Sequence, residues 1–239
     1  MQMEVSGRSV SVFPGDSPDA PLVVLNTFES EGEEVFRAVK SITDADFSLV
    51  SVGDLDWNAD MSPWEAPGLG RNDLPFPGGA DAYLRKLVEE VLPAAEGSAS
   101  LQPSVRMLAG YSLAGLFALY SMYSDTPFTR FASMSGSLWY PGFAEFASSR
   151  TPRAERVYLS LGDREPKTRH PVMAKVGECT ESMYGLLKSQ GVEAEFEWNP
   201  GNHFSDPVGR TARGIARLLR APRSRAVSFI RYPRCTQHV

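Results

Sequence analysis

The sequence predicts an α/β protein with a mostly parallel central sheet and helices on both of its faces. Three observations carry that expectation. Short runs at residues 21–26, 47–52, 105–109, 131–134 and 157–161 are mostly apolar or β-branched, as strands buried on both faces must be, and residues 194–198 read as a last strand. Segments with apolar residues at helical spacing recur between them, and strands alternating with helices make parallel sheets covered on both sides. The 239 residues are 42% hydrophobic and 22% charged, which suits one large domain with its own core; we place it at residues 1–220.

The elements follow in order. Two short strands open the chain around residues 10–13, and the proline-bearing stretch 14–21 separates them from the first buried strand. Gly32–Ile42 sets Val35, Val39 and Ile42 on one side of a helix, with charges opposite. Residues 54–79 hold Trp57, Trp64 and several prolines and glycines, and read as a long connection without secondary structure. Such loops are functional or disordered, and two tryptophans and a methionine argue against disorder. From Ala80 onward Tyr83, Leu84, Leu87, Val88 and Val91 form a helical stripe. An apolar helix over 113–123 runs straight from the strand at 105–109. Residues 172–189 bring Met173, Val176, Met183 and Leu187 into helical register, and Gln190-Gly191 ends that helix. Pro207–Leu219 is the last helix. From Ala221 the chain is basic and punctuated by proline, and is expected to be poorly ordered.

Composition excludes several functions. A formal net charge of −5 offers no footprint for nucleic acid. No apolar run approaches the roughly 18 residues that a spanning helix needs, so no membrane partner is expected. Met1-Gln2-Met3-Glu4 lacks the basic-then-apolar order of a signal peptide. That points to the cytoplasm, where Cys179 and Cys235 stay reduced. Cys179 reads as a small core residue on a helix. The three histidines lack His/Cys ligand spacing, so neither a metal site nor a cofactor is implied.

The chemistry begins at Ala109-Gly110-Tyr111-Ser112-Leu113-Ala114-Gly115. A Gly-x-Ser-x-Gly arrangement between strand and helix carries its serine on a strained tip, with small residues where the two backbones nearly touch. Gly110 holds the first such position and Ala114 the second, one methyl larger than the motif's glycine. Ser112 is therefore the candidate nucleophile; in a plain βα turn it would only cap the helix. The Leu113 N–H at the helix start can donate to a tetrahedral oxyanion, and a second donor belongs in the loop after the first buried strand, at Thr27 or Phe28.

A serine nucleophile needs a histidine base, and the base needs a carboxylate to fix its tautomer. With a nucleophile turn of this kind the chain order is serine, acid, histidine. His170 leaves no room for an intervening strand-end acid, and His238 lies in the tail. His203, in Pro200-Gly201-Asn202-His203-Phe204, follows the last strand and is the candidate base. The acid belongs in Gly162-Asp163-Arg164-Glu165-Pro166, where Asp163 and Glu165 both qualify. Asp206 suits a helix cap instead, since Pro207 fits the first helical position.

With these sites in order, the chain resembles the esterase D-like branch of the α/β-hydrolases, which includes siderophore esterases, feruloyl esterases and mycolyltransferases. The resemblance runs from about Leu22 to Leu219. It rests on residues 110–117, on Ser135-Gly136-Ser137-Leu138-Trp139, on Gly162-Asp163-Arg164-Glu165 and on Gly201-Asn202-His203. It implies the α/β-hydrolase fold and a triad of Ser112, Glu165 and His203, because the family's acid commonly stands three residues after a glycine. Related bacterial esterases also share a stretch like residues 56–64. The chain departs from the pattern at Ala114, and at Asn26-Thr27, where many relatives have an acidic residue or histidine followed by glycine.

Residues 54–79 then read as a lip over the active site, with Trp57 and Trp64 in the pocket wall, Trp139 opposite and Tyr111 beside the nucleophile. Aromatic walls suit an acyl chain or an aryl ester. The expected function is hydrolysis of a carboxylic ester of a small, partly apolar molecule through an acyl-serine intermediate. Acyl transfer to another acceptor, or ligand binding without catalysis, are the alternatives. The small-molecule ester is the partner implied, with a homodimer left open.

Overall fold

In a computed structural model of the chain, residues 1–70 and 73–221 are described; the basic tail beyond Ala221, with Cys235 and His238, lies outside them. The chain opens with a hairpin of β1 (Gln2–Val5) and β2 (Arg8–Phe13), joined at Ser6 and Gly7, both at positive φ. Two such residues in succession twist the turn to match the strands it joins. Then follow β3 (Leu22–Asn26), α1 (Gly32–Ile42) and β4 (Ser48–Gly53). The segment expected to lack secondary structure instead holds a one-turn helix, α2 (Trp57–Asp60), and a two-residue ladder, β5 (Glu65–Ala66) with β6 (Phe76–Pro77).

The next helix is longer than its apolar stripe. It begins as α3 (Ala80–Lys86), widens to a π turn at Leu87–Val91 and continues as α4 (Leu92–Ser98). Pro93 has no N–H for the carbonyl four residues back, and a widened turn accommodates that loss. Beyond it lie β7 (Arg106–Tyr111), α5 (Leu113–Ser121) and β8 (Phe128–Met134). A six-residue helix absent from the sequence reading, α6 (Phe143–Ser148), starts after Gly142 at φ 79°. The chain ends with β9 (Arg156–Gly162), α7 (Val176–Ser189), β10 (Glu193–Asn199) and α8 (Pro207–Leu219). A 3-10 turn at Met173–Lys175 precedes α7, so Met173 falls outside the regular helix where the stripe had placed it.

The main sheet has the order β1-β2-β4-β3-β7-β8-β9-β10, parallel from β4 through β10 and antiparallel at the β1 and β2 edge. Alternate residues of each strand face opposite layers. Val23, Leu25, Met107, Ala109 and Met134 meet Val35 and Val39 of α1 and Ile215 and Leu218 of α8. Val24, Val50, Leu108 and Leu159 face α3, α5 and α7. Every residue of α5 is buried, as a helix apolar all round must be.

The tightest packing lies where β7 becomes α5. A Cβ on Gly110 would overlap the backbone carbonyl of Ala114, and one on Gly115 would meet Ser133 Oγ and Gly136 Cα. Gly110→Ala should therefore lose more than about 2 kcal/mol of folding stability in urea denaturation. Gly97→Ala, where an added Cβ meets nothing within 4 Å, should be neutral or stabilising by up to about 1 kcal/mol.

Candidate active site

Parallel strands end on one edge of their sheet, and the loops leaving β3, β7, β8, β9 and β10 converge there. Ser112 stands between β7 and α5 at φ 58° and ψ −122°, a backbone region that costs a non-glycine residue about 1–3 kcal/mol. Hydrogen bonds on both sides hold it. Its N–H donates to Met134 O, and its carbonyl accepts from the N–H groups of Gly115, Leu116 and Ser137. The side chain makes no capping bond to α5. It points to His203, whose Nε2 lies 3.1 Å from Ser112 Oγ.

His203 Nδ1 lies 2.9 Å from Glu165 Oε2. Glu165 begins a 3-10 turn just after β9 and is buried. Its other oxygen, Oε1, accepts from Ser135 Oγ at 2.7 Å, the Gly162 N–H at 2.7 Å and Arg210 Nη1 at 3.0 Å. Burial pushes this carboxyl group's pKa up, but the hydrogen bonds from His203, Ser135 and Gly162 outweigh it, leaving it below the ordinary value. An ionised carboxylate only accepts, so the proton of the neutral imidazole sits on Nδ1 and Nε2 is left to accept from Ser112.

Of the two acids open to the sequence reading, Glu165 is the one that reaches His203. Asp163 points the other way, accepting from the Gly201 N–H at 2.8 Å, and so ties the acid loop to the histidine loop. Asp206 accepts from the Gly209 N–H and caps α8. His170 pins the lip: its Nε2 meets Leu69 O at 2.9 Å, and its Nδ1 accepts from the Met173 N–H.

The candidate oxyanion donors differ in what they already bind. The Leu113 N–H, first in α5, meets no backbone acceptor among the described residues, as expected of a helix start. Thr27 corrects the sequence reading. Its N–H and its hydroxyl both donate to Val52 O, extending the β3–β4 pairing by one residue. The Phe28 N–H donates to Glu31 Oε1 at 3.3 Å in an exposed loop, a long bond that a bound oxyanion can replace.

Two clefts meet at Ser112 and His203. The larger, about 1070 Å³, is walled by Leu69, Leu74, Phe76, Trp139, Met173 and Val176. The smaller, about 460 Å³, runs between Phe28, Val35, Tyr111 and Val208. Trp57 borders both, with its ring edge-on to Phe28 at 5.1 Å. Trp64 corrects the sequence reading: it lines neither cleft. It packs on Tyr120, Tyr140 and Phe146, and its Nε1 donates to Pro141 O. Tyr111 borders the smaller cleft, but its hydroxyl turns inward and donates to His203 O at 2.7 Å. Cys179 is half-buried on α7, and burial pushes its thiol up.

The residue the sequence reading missed is Arg210. Its side chain is fully buried, and Nη1 reaches Glu165, Ser135 and Tyr111 while Nη2 donates to Pro200 O. The signal was present. Arg210 stands four residues before Gly214 and eight before Leu218, on the apolar stripe of α8, whereas Arg213 and Arg217 pair with carboxylates at its margin.

Glu165→Gln should cost about 3 kcal/mol at neutral pH, because it leaves Arg210 buried without its anion. The pH dependence follows from the lowered carboxyl pKa. The contribution of Glu165 is complete above the ordinary glutamate value of about 4.3 and fades as pH falls through the lower folded value. Denaturation curves of parent and variant should therefore draw together progressively as pH falls below about 4.3.

Residues 30–203 match the model of the family described as "Putative esterase". A curated relative, YbbA of Bacillus subtilis (strain 168), is 28% identical over 137 residues, 55% of either chain; the match thus spans about half the length of that relative. Among solved structures the chain is similar to an IroE-like serine hydrolase from Shewanella oneidensis, with TM-score 0.72, 19% identity and coverage of 89% of this chain and 75% of that one. It is also similar to the siderophore hydrolase EstB from Aspergillus nidulans, with TM-score 0.70, 18% identity and coverage of 90% and 92%. The enterobactin esterase FES from Shigella flexneri follows, with TM-score 0.68, 20% identity and coverage of 91% and 58%. At such identities these likenesses establish the α/β-hydrolase fold. With well over half its length matched by the family model, the chain belongs to that family, the one described as "Putative esterase".

Proposed function

We propose that the protein is a serine esterase that hydrolyses a carboxylic ester of a small, partly apolar molecule through an acyl-Ser112 intermediate. One observation carries the reading: the unbroken line of hydrogen bonds from Ser112 Oγ through both nitrogens of His203 to Glu165 Oε2. As Oγ attacks the ester carbonyl carbon, its proton passes to His203 Nε2. The carbonyl oxygen takes up negative charge beside the N–H groups of Leu113 and Phe28. Glu165 holds Nδ1–H and offsets the imidazolium charge. His203 then returns the proton to the departing alcohol oxygen, leaving the acyl group on Ser112. A water molecule, deprotonated by the same histidine, releases the acid and restores the serine.

Hydrolysis is favoured over transfer to another acceptor because the side chain of His203 is 24% exposed, open to the water it would activate. Trp57, Trp139 and Phe76 would receive the apolar part of the ester. The neighbours bear the names siderophore hydrolase and enterobactin esterase, so aryl acyl esters belong in the substrate panel. The sequence reading sets the enzyme in the cytoplasm.

A fluorophosphonate probe should label the protein at Ser112, and Ser112→Ala should abolish both labelling and hydrolysis of a nitrophenyl ester. His203→Ala should lower kcat by at least about a thousandfold. Parent-level turnover by the histidine variant would sink the mechanism.

A further inference from the structure

We propose that Arg210 is a positioning residue for this reaction: its buried guanidinium assembles the segments that carry the serine, acid and histidine, and sets the proton balance between Glu165 and His203. The inference rests on the Ser112 reading above and assigns a role outside the triad.

The first part follows from connectivity. Arg210 enters from α8, which contributes no member of the triad. Nη1 lies 3.0 Å from Glu165 Oε1 on the acid loop, 3.1 Å from Ser135 Oγ after β8 and 3.2 Å from the Tyr111 hydroxyl beside the nucleophile. Nη2 donates to Pro200 O, at the start of the histidine loop, at 2.9 Å. Tyr111 closes the circuit by donating to the carbonyl of His203 itself. A planar fork with several fixed donors orients such partners in a way that a lysine ammonium does not.

The second part follows from charge. A buried carboxylate facing His203 alone would favour the imidazolium, a histidine already protonated and useless as a base. Arg210 occupies Oε1 with a permanent cation and leaves Oε2 for the imidazole. Arg210 thus adds a fixed positive charge to the hydrogen bonds from His203, Ser135 and Gly162 that keep the carboxylate ionised. The other charged groups around the clefts that hold His203 are Asp73 on the lip, Asp163, Arg164 and Lys167 on the acid loop, Asp206 at the head of α8, and Glu29, Glu31 and Glu34 along the smaller cleft. All of these are exposed or half-exposed and screened by water, whereas the Arg210 side chain has no exposure at all.

The test is the pH dependence of nitrophenyl ester hydrolysis by the parent, Arg210→Met, Arg210→Lys and Tyr111→Phe. Arg210→Met should lose kcat on the order of 10- to 100-fold with KM little changed, and the acid limb of kcat/KM should move up by roughly one pH unit. Arg210→Lys should bring the acid limb back without restoring kcat, because the charge returns and the fork does not. Tyr111→Phe should lower kcat and leave the acid limb in place. A folded Arg210→Met with the parent's kcat and acid limb overturns the proposal. Should that variant not fold, parent-level kcat in both Arg210→Lys and Tyr111→Phe overturns it instead. Failure of the Ser112 reading looks different: Ser112→Ala would then remain active, whatever the Arg210 variants do.

Discussion

The site depends first on a steric constraint, the reversal of the chain from β7 into α5 within a single residue. Gly110 lies against the carbonyl of Ala114, and Gly115 against Gly136 and Ser133, so strand and helix touch backbone to backbone. Such contact is open only to the smallest residues. It forces Ser112 to positive φ and lifts its hydroxyl clear of the helix it precedes. The motif's second small position holds alanine in place of glycine, and the reversal still closes. The strain at Ser112 persists because bonds to Met134, Gly115, Leu116 and Ser137 over-determine the turn.

Around that turn the charges are layered by depth. Arg210 and Glu165 lie deepest, His203 is a quarter exposed, and the remaining ionisable groups stand at the cleft mouths. A buried ion pair adds little net stability, since desolvation offsets most of the attraction. What this pair contributes is definition: it decides which oxygen of Glu165 faces the imidazole. Burial also pushes the Tyr111 hydroxyl up, so it remains a donor to the histidine loop throughout the working pH range.

Much of this was legible in the sequence, for physical reasons that differ by element. Parallel strands are buried on both faces, so β3, β4, β7 and β9 stand out as predominantly apolar runs. Pro207–Leu219 was readable to the residue because Asp206 and Pro207 mark its start. Asp163 and Glu165 could not be told apart from the residues alone, since both are polar loop acids and only the 3-10 turn after β9 decides which one faces inward. Thr27 looked like an oxyanion donor until its N–H proved to be spent on one further bond of the β3–β4 pairing. Trp64 misled because an aromatic residue in a long loop packs a lip as readily as it lines a pocket. Arg210 was hidden among the arginines of α8, which differ only in the face they occupy.

The lip has a consequence for how this scaffold can change. It leaves the sheet at Gly53 and rejoins the helical layer at Ala80, and it closes on itself there, through Gly79 N–H to Ala59 O and Ala80 N–H to Ser62 O. None of its described residues pairs with the main sheet, yet it supplies Trp57, Leu69, Leu74 and Phe76 to the clefts. Lengthening such a loop costs only a slowly growing closure entropy. Part of the cleft wall is thus carried by a segment separate from the serine, histidine and glutamate. The shape of the clefts can change between residues 54 and 79 while the strained turn and the buried pair beneath are inherited intact.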